Sequence, residues 1–340
     1  NAVQKWSALG KAILDEIDEN LNSQRLAKNL GLKVEILNIF QAALNPFILS
    51  ELDYKIQNIN TLTNDSTLQP IERAEIAMRK FTRLSESEID SPENVTERMI
   101  NVFPEGAITD ETKLLDIASK QGEFAFACYK KFGKNVAKNF YSIPTSKIAY
   151  EFTRKVYELL ELDVSHIESE FTSYDLIKED NKIIKDNQVK INNDDMKFDV
   201  VIGNPPYQEK KIGTSDNPIY HLFMDVSYKI ADRVSLITPA RFLFNVGKTP
   251  KVWNDKILND EHFLVTQYFQ NSFEVFSEVD LKGGVAITYW DKNQKFDKIG
   301  VFSSHEYIDK ILKKVLNFKS FEAIDNLIYT QNKFDLQRLY

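Results

Sequence analysis

From residue 1 to about 90 the apolar positions recur with helical spacing. Trp6, Leu9, Ile13 and Ile17 fall three or four residues apart, one face of a helix. Only Gly10, Gly31, Pro46 and Pro70 interrupt this stretch. Residues 57–69 are polar and predict a loop, followed by a helix opening near Pro70, a favoured first-turn residue. A helical N-terminal domain or connector over 1–90 is expected, with no chemistry of its own.

The pattern changes after Ser91-Pro92. Strand-like apolar runs at Lys113–Ala118, Ala137–Ile143, Ile167–Phe171, Phe198–Asn204, Arg233–Pro239, Leu264–Phe269 and Gly284–Trp290 alternate with helical stretches. The clearest of these helices cover Phe124–Phe132 and Lys147–Leu162. Alternation of this kind predicts an α/β fold with a parallel-rich sheet flanked by helices. An unbroken apolar run such as Val200–Ile202 suits a strand covered on both faces. The charged, Asn-rich segment 178–197 is expected to be a solvent-exposed insertion. Residues 91–300 thus form the expected main domain, and 301–340 the start of a further region.

Composition narrows the function classes. The 340 residues are 43% hydrophobic, with 23 Phe and 14 Tyr, ample for a packed core. The net charge of −7 gives no global attraction to polyanions, so any nucleic-acid contact must be local. One cysteine, Cys128, excludes an internal disulfide framework, and it is expected in the core. His166, His221, His262 and His305 form no HxxxH pair, so no metal site is expected. No apolar run is long enough to span a bilayer and no secretion signal is visible, which makes a reducing cytoplasm the expected setting. The first residue is Asn, and a fragment of a longer polypeptide is expected.

The sharpest feature is Asn204-Pro205-Pro206-Tyr207 at the end of the apolar run FDVVIG. In open α/β sheets ligands bind outside the carboxyl ends of strands, where this tetrapeptide falls. An exocyclic amino group conjugated to a ring is a poor nucleophile, because its lone pair is delocalised. Two acceptors, the Asn204 side-chain oxygen and the Pro205 carbonyl, can each take one of its hydrogens. They thereby draw the lone pair out of conjugation and aim it at an electrophile. The paired prolines stiffen the backbone that carries these acceptors. Tyr207 offers a ring on which an extruded base can stack.

FDVVIGNPPYQ resembles the catalytic motif of DNA adenine-N6 methyltransferases of restriction–modification systems, in the type I and type IIG branch. The resemblance runs over about 91–295. Ser91-Pro92-Glu93, with Val95 and Met99, resembles the family's TPxxVxxxM segment, which lies against the methionine part of S-adenosylmethionine. Leu115–Phe124 (LDIASKQGEF) resembles its LDPACGSGGF cofactor loop. Residues 237–242 (ITPARF) resemble the strand and turn after the catalytic loop. Val275-Phe276 and Lys282–Val285 resemble a later segment, in which Phe276 takes the place of the aromatic against the flipped base. Cofactor loop before catalytic loop before recognition region is the gamma order.

The resemblance implies a Rossmann-like S-adenosylmethionine-dependent methyltransferase acting on double-stranded DNA, with nuclease or helicase domains possible elsewhere in a longer chain. It implies Ser91, Pro92, Glu93, Asp116, Ala118, Gly122, Phe124 and Asp175 as cofactor-binding residues. Asp175 is preferred over Glu170 as the acid facing the cofactor adenine. Two departures stand out. Lys120 and Gln121 replace glycine and serine in the cofactor loop, leaving Gly122 for close backbone approach, and Pro144 stands where an acid usually binds the ribose. Two rival readings stay open: a methyltransferase for protein glutamine or RNA bases, and a degenerate fold that binds DNA without catalysis.

Weaker signals read as structural. Gly247-Lys248-Thr249 lacks the upstream glycine of a phosphate-binding loop, since Phe242 occupies that position. Asp280-Leu281-Lys282 reads as a strand turn, and His221 as a partly buried structural histidine. Between Pro205 and Lys251 seven basic side chains meet four acidic ones, and Lys210 with Lys211 are the preferred DNA-phosphate contacts.

Overall fold

Val200, Val201 and Ile202 are at most 1% exposed, and burial of each such side chain is worth about 1.5–3 kcal/mol. They form the middle of a six-stranded sheet in a computed structural model that describes residues 65–79, 89–178, 183–209, 217–276 and 281–316, with Tyr54, Thr61 and Phe318 besides. The strands are β1 (Leu114–Ser119), β2 (Phe140–Pro144), β3 (Phe198–Gly203), β4 (Ala231–Pro239), β5 (Phe263–Phe269) and β6 (Val285–Asp291). Their order across the sheet is β2-β1-β3-β4-β6-β5. β2, β1, β3 and β4 are mutually parallel, while β6 runs antiparallel to both β4 and β5. This is the parallel-rich α/β architecture that the alternating pattern predicts.

The helices are α1 (Pro70–Met78), α2 (Glu93–Ile100), α3 (Glu123–Phe132), α4 (Lys147–Leu159), α5 (Tyr220–Ile230), α6 (Lys251–Leu258) and α7 (Glu306–Leu316). α1 opens on Pro70 as expected, and a reciprocal Gln69–Glu72 capping box satisfies its first amides. α3 and α4 pack on β1, α4 also on β2, and α2 and α5 on β4. No described helix is long and apolar enough to cross a membrane.

The chain leaves β1, forms β2 on one side, and returns to place β3 on the other side of β1. At such a reversal, open α/β sheets bind ligands in the crevice beyond the carboxyl ends of the strands, here those of β1 and β3. The segments that emerge there are 120–122 and 204–207. Topology therefore converges on the residues that chemistry singles out.

Three predicted elements come out differently. The expected strand Ile167–Phe171 reduces to one parallel bridge between Ser142 and Ile167. The buried Glu168 carboxylate explains it: Oε1 accepts the amides of Glu170 (2.5 Å) and Phe171 (3.3 Å), which removes them from any ladder. Segment 178–197 is not a plain solvated loop. Its described part holds a three-stranded meander (Ile184–Lys185, Gln188–Ile191, Asp194–Met196) that buries Val189 and Ile191. The strand predicted at Ala137–Ile143 begins three residues later, because Lys134–Ala137 forms a helical turn. The helical pattern around Trp6–Ile17 and the end of the 301–340 region lie outside the described residues.

Candidate functional site

β1 ends at Ser119, and the turn Lys120–Gly122 leads into α3. Gly122 has φ +76°, a left-handed conformation that glycine adopts freely. A Cβ there would meet Val156 Cβ of α4 at 3.2 Å. Gly122 thus lets the turn pack against α4. Ala118 and Phe124, each 1% exposed, are core residues around the turn, and the Ala118 amide donates to Asp116 Oδ1 at 3.1 Å.

Asp116 is fully buried, and its Oδ2 has no hydrogen-bond partner. Burial, and then the charge of Glu123, raise its carboxyl well above the usual range; the Ala118 amide, Lys120 and Ser119 oppose the shift without cancelling it. Glu123 accepts the Gln121 amide through Oε2 at 3.0 Å, while Oε1 has no partner. Such oxygens are costly inside a protein unless a donor or cation meets them.

The catalytic-loop candidate follows β3. Residues 203–207 are all buried. The Asn204 side-chain amide nitrogen donates to the Ile89 carbonyl at 2.8 Å, which fixes the amide plane and turns Oδ1 away from that carbonyl. Lys120 Nζ donates to the Asn204 main-chain carbonyl at 2.7 Å. Gly203 is closely surrounded: a Cβ would lie 3.1 Å from Ile117 Cγ2 and 3.3 Å from Asp116 Oδ1. Gly203→Ala is therefore expected to destabilise by about 1–2 kcal/mol through overpacking, seen as a lower Tm in thermal unfolding. An unchanged Tm would show that β1 and β3 yield at this point.

Several sequence-predicted residues are placed differently. Ser91 is buried, and its Oγ has no hydrogen-bond partner. Pro92 is exposed as the N-cap of α2, and Glu93 is exposed and paired with Lys130 of α3. Asp175 is consumed locally. Its Oδ2 accepts the Thr172 amide (2.8 Å) and hydroxyl (3.0 Å), and Lys178 meets its other oxygen at 2.5 Å. Burial would raise its pKa, but these bonds hold it below the usual value. It caps the turn that begins at Thr172.

Phe276 is 2% exposed and belongs to the core, so its ring presents no free face to a base. Tyr207 is 5% exposed, with an unpartnered hydroxyl pushed upward in pKa by burial. Stacking on it requires its surroundings to open. Lys210, Lys211 and Asp280 lie outside the described residues. His221 packs against Trp253 with ring centroids 5.5 Å apart, and Cys128 is buried; both read as structural, as expected. A separate hollow of about 270 Å³ lies at the far end of α3, between Phe103, Ile108 and Phe132, away from both loops.

Sequence reasoning missed Ile89, Gly203 and the bonding of Lys120. The glycine before Asn204 was a visible signal for Gly203; nothing in the sequence pointed to Ile89 or to the partner of Lys120.

The restriction-modification methylase model named Eco57I matches residues 57–276, which is more than half of the chain. The chain belongs to the Eco57I restriction-modification methylase family. An uncharacterized adenine-specific methylase of Mycoplasma pneumoniae is 30% identical over 113 residues, 32% of this chain and 27% of that protein. The type I restriction-modification methyltransferase subunit of Streptococcus thermophilus is similar at 14% identity and a TM-score of 0.48, covering 72% of this chain and 56% of that one. The ATP-dependent type ISP enzyme LlaBIII, solved bound to DNA, gives 13% identity and a TM-score of 0.47, over 80% of this chain and 23% of that one. This methylase-family chain thus spans about a quarter of the curated relative and about half of the type I subunit.

Proposed function

We propose that this chain transfers a methyl group from S-adenosylmethionine to the N6 amino group of adenine in double-stranded DNA. The observation that carries the reading is the Asn204–Tyr207 loop at the sheet's reversal point, with the Asn204 amide oriented by Ile89, in a chain of this methylase family. The adenine-specific description of the Mycoplasma relative supports the choice of base.

The residues fit the cofactor in one respect that can be tested. The unpartnered oxygens of Asp116 and Glu123, and the Ser91 hydroxyl, would receive a donor that carries an ammonium and a sulfonium. When bound, S-adenosylmethionine supplies an electrophilic methyl group. Asn204 Oδ1 and the Pro205 carbonyl bind the two N6 hydrogens and localise the nitrogen lone pair. These two acceptors would hold the amino nitrogen with its lone pair aimed at that methyl group, and N6 would shed one proton to solvent on methylation. No covalent enzyme intermediate and no metal is needed. The target must leave the duplex to reach the loop, and Tyr207 is the ring available to it once its surroundings open.

Labelled-methyl transfer to unmethylated duplex DNA, with hydrolysis and identification of the base, tests this. N6-methyladenine is the expected product. Label appearing instead in release-factor glutamine or in RNA would overturn the substrate. Absence of cofactor binding by calorimetry would leave a non-catalytic DNA-binding fold.

A further inference from the structure

We infer that Lys120 is a positioning residue that ties the cofactor loop to the catalytic loop. This rests on the reading of the Asn204–Tyr207 loop given above. Lys120 stands where a methyltransferase loop ordinarily needs a small residue, and its long side chain is nonetheless 1% exposed. A buried ammonium is expensive unless it is paired or hydrogen-bonded. Here it is bonded: Nζ lies 2.7 Å from the Asn204 carbonyl, across 84 residues of sequence. The buried carboxyls of Asp116 on β1 and Glu123 at the start of α3 flank this turn, and the Lys120 charge is felt at Asp116.

Three carbonyl-type oxygens crowd the start of the catalytic loop: the Asn204 main chain, the Asn204 side chain and the Pro205 main chain. An amino group has only two hydrogens to give. By occupying the Asn204 main-chain oxygen, Lys120 leaves the intended pair, Asn204 Oδ1 and the Pro205 carbonyl, as the free acceptors. Ile89 holds the Asn204 side chain from one direction and Lys120 holds its backbone from another. A charge-assisted bond of this kind restrains the loop before substrate arrives.

The test is Lys120→Met in the full chain, with Lys120→Gln, which keeps an N–H donor on a shorter stem, as companion. Hydrogen–deuterium exchange of the ligand-free protein is read first. The amides of 204 and 207–209 are expected to exchange at least tenfold faster in Lys120→Met, with the strands of the sheet unchanged. Equal exchange would overturn the inference irrespective of any activity.

In single-turnover methyl transfer, counted per cofactor-binding site, the Met variant is expected to slow tenfold to thirtyfold. The cofactor Kd should move less than threefold, and the Gln variant should fall between Met and wild type. In an Asn204→Ala background the Lys120→Met change should cost almost nothing more, since both act on one loop. A loss confined to cofactor affinity, or an undiminished rate per site, overturns the positioning role. Wild-type protein that methylates no DNA overturns the functional reading instead, and the exchange result then stands or falls by itself.

Discussion

Asn204→Ala is expected to slow methyl transfer by about 10²- to 10³-fold while leaving cofactor affinity within a few-fold of wild type. The size follows from loss of one preorganised polar contact to the reacting group, typically about 2.7–4 kcal/mol of transition-state stabilisation. The variant also strips the Ile89 carbonyl of its donor, at a stability cost of about 1 kcal/mol. Single-turnover rates, normalised to the number of cofactor-binding sites, separate the two effects. Asn204→Asp sharpens the argument, for it keeps an acceptor oxygen and loses the N–H that Ile89 receives. A carboxylate placed against that carbonyl in a buried loop is repelled, so Asp is expected to fail nearly as badly as Ala. Transfer above a tenth of the wild-type rate in Asn204→Ala would remove the proposed role of the side chain.

What was legible in the sequence was whatever rests on local pattern. Val200–Ile202 reads as a doubly covered strand because three apolar residues in a row leave no polar face, and the strand is there. Asn204–Tyr207 falls beyond its end because the prolines cannot continue a central strand. What the pattern does not show is which partner a charged side chain finds, near in sequence or far. The carboxylate of Glu168 captures the amides that a strand at Ile167–Phe171 would need. Glu93 turns outward because Lys130 lies on the neighbouring helix, and Asp175 turns inward on Thr172 because an acid three residues into a turn caps it. Lys120 shows the same limit most sharply. By type it looks like damage to a glycine loop, yet by contact it is a bond to the residue that matters most. Spacing reveals which elements form; only the partner reveals what a charged side chain is for.

Asp116→Asn is expected to make the protein more stable and a worse cofactor binder at once. The stability half follows from linkage. Burial and the neighbouring Glu123 raise the Asp116 carboxyl above its ordinary 3.8, so the folded state holds its proton more tightly than the unfolded chain does. Below that value both states are protonated and the residue contributes no pH dependence. As pH rises through it, the unfolded chain ionises first and gains an advantage, which grows toward neutrality. Asn cannot ionise, and its side-chain oxygen can still accept the Ala118 amide. The variant should therefore exceed wild type by about 1–3 kcal/mol near pH 7, with the gap closing toward pH 4. The binding half follows from charge. Oδ2 is the unpartnered oxygen that a cationic donor would meet, and loss of a charged acceptor is worth about 2–3 kcal/mol, a thirtyfold to 150-fold rise in Kd. If the cation is what ionises Asp116, cofactor binding by wild type near pH 7 releases a proton. The calorimetric enthalpy then depends on the buffer's ionisation heat, and in Asp116→Asn that dependence is lost. Denaturant titrations at pH 4 and pH 7, with calorimetry in two buffers, check both halves. Equal stability at both pH values, together with an unchanged Kd, would show that Asp116 is satisfied by the protein itself and that the cation is received elsewhere in the crevice.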